Sequence, residues 1–186
     1  MIENWHSHFV PECFFDTVLF KKIFETDKRL KHRKGCNNVV NSFRIVNGKK
    51  GDLYESFGVG MVDKDKIELD FLKECEPIIE SENLILWKHK ERPHFIIQLC
   101  PPIENWVIEI LKADNRSIEE FGYSKEFKKL KEEIKNDIDD EKDERLNNLV
   151  NAILSSKSDT IKKLKAILLY LKEKTYKADI NELKNV

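Results

Sequence analysis

The sequence predicts an α/β fold in which a mostly parallel sheet is flanked by helices and followed by a C-terminal helical extension. Three observations carry this expectation. Short apolar runs alternate with stretches of helical apolar spacing between residues 8 and 111, the order expected of buried strands covered by helices. One of these runs, Ser56-Phe-Gly-Val-Gly-Met-Val-Asp63-Lys-Asp65, is built of small and apolar residues and ends in two carboxylates one residue apart. Past Asn115 the composition shifts to charged segments with a single apolar stripe each, which places a boundary between a sheet-bearing part, residues 1–113, and a helical part, residues 114–186.

The elements follow in order. Residues 8–11 form a short strand with Pro11 at its end, because proline has no N–H for a ladder. Over 13–24, Phe14, Phe15, Val18, Leu19 and Ile23 recur at helical steps. Asn37 or Asn38 caps a second short helix running through Phe43 and Ile45, and Lys49-Lys50-Gly51 turns the chain. After Asp65, residues 71–82 have mixed helical spacing broken at Pro77. Strands over 84–88 and 94–99 flank Glu91-Arg92-Pro93, a hairpin connection at an expected sheet edge. Pro101-Pro102 stops the second strand, and Ile103, Trp106, Val107 and Ile110 resume helical spacing.

In the helical part, Phe127, Leu130, Ile134 and Ile138 make one stripe. Leu146, Leu149, Val150, Ile153 and Leu154 make a second, and Ile161, Leu164, Leu168 and Leu171 a third. Three stripes exceed what a small sheet needs to cover one face, so these helices are expected to form homo-oligomers or dock a partner. The charge run 136–145 reads as a solvated connector.

Composition narrows the function classes. At 40% hydrophobic and 36% charged residues, the 186-residue chain has a core to build and a surface rich in Lys and Glu, which excludes the disordered class. A net charge of -1 leaves nucleic-acid partners to be judged from local clusters. Cys13, Cys36, Cys75 and Cys100 are scattered with no CxxC pair, against a zinc site or disulfide framework. With no leader-like start and no apolar run of membrane-spanning length, a reduced, cytoplasmic protein without a membrane partner is expected. P-loop, GxGxxG and GxSxG motifs are absent.

The chemistry-bearing pattern is acidic. Side chains at i and i+2 of an extended segment point the same way, so Asp63 and Asp65 face one point beyond the strand end. Glu12 ends another predicted strand, and Asp16 follows one helical turn later. Four carboxylates over the carboxyl edge of a sheet repel one another, and a hard divalent cation, Mg2+ or Mn2+, compensates them. The plainer alternative is that Asp63 and Asp65 cap a helix or close a turn and that Asp16 is solvated. Glu104, at a helix start after Pro101-Pro102, is either a supporting carboxylate or a first-turn acid favoured by the helix dipole.

Glu12-Cys-Phe-Phe-Asp16 and Asp63-Lys-Asp65 resemble two motifs of the Toprim domain of topoisomerases, primases and the overcoming-lysogenization-defect nucleases. That family carries a glutamate after its first strand, commonly as Glu-Gly-x-x-Asp, and an Asp-x-Asp after a later one. Gly35-Cys-Asn-Asn38-Val is similar to the Gly-x-x-Asn-Val turn of small single-domain Toprim-like proteins, and the resemblance spans residues 6–112. Two positions depart from it: Cys13 stands where glycine is usual, and Pro11 where a β-branched residue is common. Without that glycine the backbone approaches phosphate less closely.

The resemblance implies a Mg2+-dependent phosphodiesterase, a nuclease acting on DNA or RNA. Glu12 would be a general base or metal ligand, and Asp63, Asp65 and Asp16 would hold the metal. It also implies an effector subunit working with a separate ATPase in prokaryotic anti-phage defence. The rival expectation is a non-catalytic Toprim-like module that docks a partner protein. Two basic clusters, Lys28-Arg29-Leu-Lys31-His32-Arg33-Lys34 and Lys88-His89-Lys90-Glu-Arg92, either flank the crevice or are solvated loop charge. On the first alternative Lys34, Lys66, Lys88, Lys90 and Arg92 contact phosphate. His94 is expected to be structural, and Trp5, Trp87 and Trp106 to be core or interface anchors.

Overall fold

The computed structural model describes residues 4–28, 30, 32–64, 69–135 and 143–186. In chain order the elements are β1 (Phe9–Val10), α1 (Phe14–Phe24), α2 (Cys36–Asn41), β2 (Ile45–Val46), β3 (Lys49–Lys50), β4 (Gly58–Asp63), β5 (Cys75–Glu80), β6 (Leu84–His89) and β7 (His94–Leu99). Helices α3 (Ile103–Ala113), α4 (Phe127–Lys135), α5 (Glu144–Ser155), α6 (Asp159–Lys174) and α7 (Ile180–Lys184) follow. The central sheet has five strands in the order β1-β4-β7-β6-β5. β1, β4 and β7 pair in parallel, while β6 is antiparallel to both its neighbours. Four of the five strands therefore point one way, as the predicted mostly parallel sheet requires.

Strand alternation divides the apolar residues between two faces. Phe9, Val59, Met61, Phe95 and Ile97 lie on one face, in a cluster with residues of α1, α3, α4, α5 and α6. Val10, Val62 and Ile96 lie on the other, with Val39, Val40, Phe43 and Phe71. β4 and β7 are buried along their whole length, as strands covered on both faces must be. Gly60 lets the second face close. A Cβ there would meet Val39 Cγ1 at 2.8 Å and Ile96 Cδ1 at 2.9 Å, so only glycine admits α2 at this distance.

Several sequence expectations need correction. Residues 75–80 are a strand, β5, rather than a helix. Pro77 is tolerated because β5 is the sheet edge and its register shifts between Pro77 and Ile79. The second helix starts after Gly35, whose φ of +92° suits glycine, and not at Asn37 or Asn38. Ile45 and Lys49-Lys50 belong to a small antiparallel hairpin turned by Asn47-Gly48, both with positive φ. The Glu91-Arg92-Pro93 hairpin joins β6 to β7, and β7 lies in the sheet interior because it also pairs with β4.

Most of the three helical stripes is taken up within the chain, while Phe127 stays exposed. Leu130, Ile134, Leu146, Leu149, Ile153, Ile161, Leu164, Leu168 and Leu171 are all buried in the cluster that covers the first face of the sheet. α1 packs on α4, α5 and α6, and α3 packs on α4 and α5. Ile138 and most of the 136–145 run lie outside the described residues, while Asp143 caps α5 by accepting from the Arg145 and Leu146 N–H groups. No helix among the described residues is long and apolar enough to cross a membrane.

Candidate active site at the carboxyl end of the sheet

β1 and β4 are adjacent and parallel, with Val10 level with Gly60. Their carboxyl ends therefore bring Glu12 and Asp63 to the same rim. Glu12 Oε2 accepts the Asp63 backbone N–H at 3.0 Å, a bond across 51 residues of chain. The same oxygen accepts from Cys36 Sγ at 3.1 Å, because Gly35 turns the chain into α2 at this point. Cys36 Sγ also lies 3.8 Å from the Asp63 carbonyl.

Asp16 enters from the first turn of α1. Its Oδ2 accepts the N–H groups of Glu12 and Cys13, each at 3.2 Å, and so caps the helix. Its Oδ1 is buried without a hydrogen-bond partner. Burial, then the nearby charges of Asp63 and Glu12, push the Asp16 carboxyl well above its ordinary value. Burial and the Asp16 charge likewise push the Cys13 thiol up. Asp63 Oδ1 accepts the Ile103 N–H at 3.1 Å, tying the end of β4 to the start of α3. Glu104 follows at full burial, 3.7 Å from Lys131 Nζ on α4.

Of these groups, Glu12, Cys36, Glu104 and Lys131 border a crevice of about 1240 Å³, whose lining also includes Arg44, Lys64 and Phe127. The sequence reading missed Cys36, Arg44, Lys64, Phe127 and Lys131. Cys36 sits inside the quoted Gly35-Cys-Asn-Asn38-Val segment, and Lys131 lies one helical turn beyond Phe127. Those spacings were the available signals. Asp65 and Lys66 lie outside the described residues.

The expected basic contacts separate. Lys34 lines a smaller adjoining pocket that shares Asn38 with the crevice. Lys88, Lys90 and Arg92 are not brought to the acids. Parallel pairing sets His94, the start of β7, beside Gly58, and Leu99 beside Asp63, so the turn before His94 lies at the opposite end of the sheet. Lys88 Nζ donates there to the Arg92 carbonyl at 2.6 Å, and Lys90 Nζ to the Lys73 carbonyl at 3.1 Å. The Arg92 guanidinium stacks over Tyr54 at 4.3 Å. His94 is structural, with Nε2 2.9 Å from the Leu53 carbonyl.

The oxygen donors of Glu12, Asp16 and Asp63 suit a hard divalent cation, and the orphaned Asp16 Oδ1 is the feature such an ion would relieve. Among the described residues no group of three or more His, Cys, Asp or Glu side chains is already spaced as a ligand set. The donor chemistry therefore fits the ion, while a complete coordination shell is not preformed by these residues. No family model, curated protein or solved structure matches the chain at significance.

Proposed function

We propose that this chain is a divalent-metal-dependent phosphodiester hydrolase of Toprim type acting on nucleic acid. One observation carries the reading: Glu12, Asp16 and Asp63 meet at the carboxyl ends of two adjacent parallel strands, and a buried Asp16 oxygen there lacks a partner. A carboxyl whose pKa is raised by burial and by neighbouring carboxylates, as that of Asp16 is, is a feature of sites built for a counter-charge.

In this reading Glu12, Asp16 and Asp63 hold Mg2+ or Mn2+, and Asp65 joins them on the sequence motif alone. When bound, the ion stabilises charge on the attacking and leaving oxygens of phosphoryl transfer. Glu12, oriented by the Asp63 N–H and the Cys36 S–H, receives the proton of the attacking water. Arg44, Lys64 and Lys131 border the same crevice and balance phosphate charge. The resemblance extends the proposal to an effector subunit acting with a separate ATPase in anti-phage defence.

A second reading, a Toprim-like scaffold that docks a partner protein without catalysis, is favoured by a different observation. Glu12, Asp16 and Asp63 all accept backbone N–H groups, a structural duty that involves no ion. Thermal melting against Mg2+ and Mn2+, run beside cleavage of labelled DNA and RNA, separates the two. The hydrolase should melt higher with metal and cleave in a metal-dependent way that Asp63→Asn abolishes. No melting shift and no cleavage on either nucleic acid would support the scaffold.

A further inference from the structure

We infer that the crevice accepts an unpaired strand of nucleic acid, with a base stacked on Phe127 and neighbouring phosphates on Arg44, Lys64 and Lys131. This rests on the phosphodiesterase reading above and specifies the form of its substrate.

The argument begins with α4. Its stripe of Phe127, Leu130 and Ile134 should be buried as a unit, and Leu130 and Ile134 are fully buried. Phe127 is not: it stays 48% exposed. Among the described residues the exposed large apolar side chains are Ile45, Phe127, Leu169 and Tyr176, and of these only Phe127 lines the crevice. Leaving a phenyl ring in water forfeits the burial that its two stripe neighbours gain, so the position suits an incoming apolar face.

Charge identifies what that face belongs to. Lys131 lies one turn along the same helix and lines the crevice with Arg44 and Lys64, alongside the carboxylates Glu12, Asp70 and Glu104, the last 3.7 Å from Lys131 Nζ. Arg44 Nε is held by Asn41 Oδ1 at 2.9 Å, which steadies the guanidinium. An exposed ring and cations lining one crevice match a ligand that alternates flat aromatic groups with phosphates. The crevice, at about 1240 Å³, exceeds the roughly 300–1,000 Å³ of small-molecule pockets, leaving room for more than one nucleotide. Inside a duplex both faces of each base are covered, so an exposed ring gains stacking only from an unpaired base or a strand end.

Fluorescence anisotropy tests this, with labelled single-stranded DNA and RNA of about 12 nucleotides and a blunt, closed duplex of the same length, and Ca2+ in place of Mg2+ to hold cleavage down. The single strands should bind more tightly than the duplex. Phe127→Ala should weaken single-strand binding by about 5- to 100-fold, the range of one base–aromatic stack, while Phe127→Trp retains it. Lys131→Gln should lower the slope of log affinity against log salt by about one. Equal affinity for duplex and single strands, binding of neither, or Phe127→Ala within twofold of wild type at unchanged melting temperature would overturn the inference. Cleavage assays keep the two proposals apart: metal-dependent cleavage with Phe127-insensitive binding leaves the hydrolase standing and removes this inference. Phe127-dependent binding without cleavage does the reverse.

Discussion

Both ends of the central sheet are charged, and they handle charge in opposite ways. At the β6–β7 turn, Lys88 and Lys90 donate to backbone carbonyls and Arg92 stacks on Tyr54, with its buried Nη1 left without a hydrogen-bond partner. At the carboxyl end of β4, Asp16 is crowded by Asp63 and Glu12, and one of its buried oxygens has no partner. The Lys88 and Lys90 bonds lower the energy of the fold, whereas like charges crowded on Asp16 cost it. A charged run in a sequence reports how much charge is present, whereas the way that charge is satisfied separates a structural end from a candidate site.

Activity should break this comparison most sharply. Glu12→Gln keeps an oxygen to accept the Asp63 N–H, so the fold should persist, yet metal-dependent cleavage should fall by about 100-fold or more. Lys90→Ala, at the other end of the sheet, should stay within about threefold of wild type. Steady-state cleavage rates at saturating Mg2+ check both. A Lys90 variant as damaged as the Glu12 variant would mean that the basic end, not the acidic end, handles the substrate.

The acidic end was legible because its signals are local. Gly-Val-Gly-Met-Val before Asp63 is small and apolar enough to be buried on both faces, and the α1 spacing placed Asp16 one turn after Glu12. What failed depended on distant partners. β5 read as helical from the mixed spacing of residues 71–82, and only its edge position and register shift explain how a strand accommodates Pro77. The stripes of α4, α5 and α6 looked like surplus apolar surface until α1 and α3 were seen to take them up. Lys88, Lys90 and Arg92 were grouped with the acids because sequence proximity to a strand does not say which of its ends they occupy. Cys36 and Phe127 acquire meaning only from Glu12 Oε2 and from the crevice.

A smaller effect sharpens the same contrast through stability. The Asp16 carboxyl is held well above its ordinary value by burial and by Asp63 and Glu12. A carboxyl whose folded pKa is raised favours the fold fully below its unfolded value of 3.8, and that contribution is lost as pH rises through the folded pKa. Asp16→Asn can still accept at the α1 cap but carries no charge to repel. Without metal at pH 7 it should melt about 2–4 °C higher than wild type, on the order of 1 kcal/mol for a chain of this size. It should also lack the decline of stability with rising pH and respond less to Mg2+. Lower melting from pH 4 to 8 would mean that the capping bonds outweigh the repulsion.

A second stability effect belongs to the opposite end, where His94 is fully buried against Phe43 and Phe71. Burial lowers its pKa from 6.5 to about 4, with His89 and Arg92 adding positive charge nearby and the Leu53 carbonyl partly opposing the shift. The sign is opposite to that of Asp16. Below about pH 6.5 the unfolded chain takes up a proton that the folded chain refuses, so stability falls with acidification until the folded pKa near 4 is passed. Over that window the loss should be on the order of 2 kcal/mol. His94→Gln can still donate to the Leu53 carbonyl but cannot titrate. It should be less stable than wild type at pH 7.5, having lost its ring contacts, and should lose less on going to pH 4.5. Urea unfolding at the two pH values measures both slopes, and parallel losses would show that the acid sensitivity arises elsewhere than at His94.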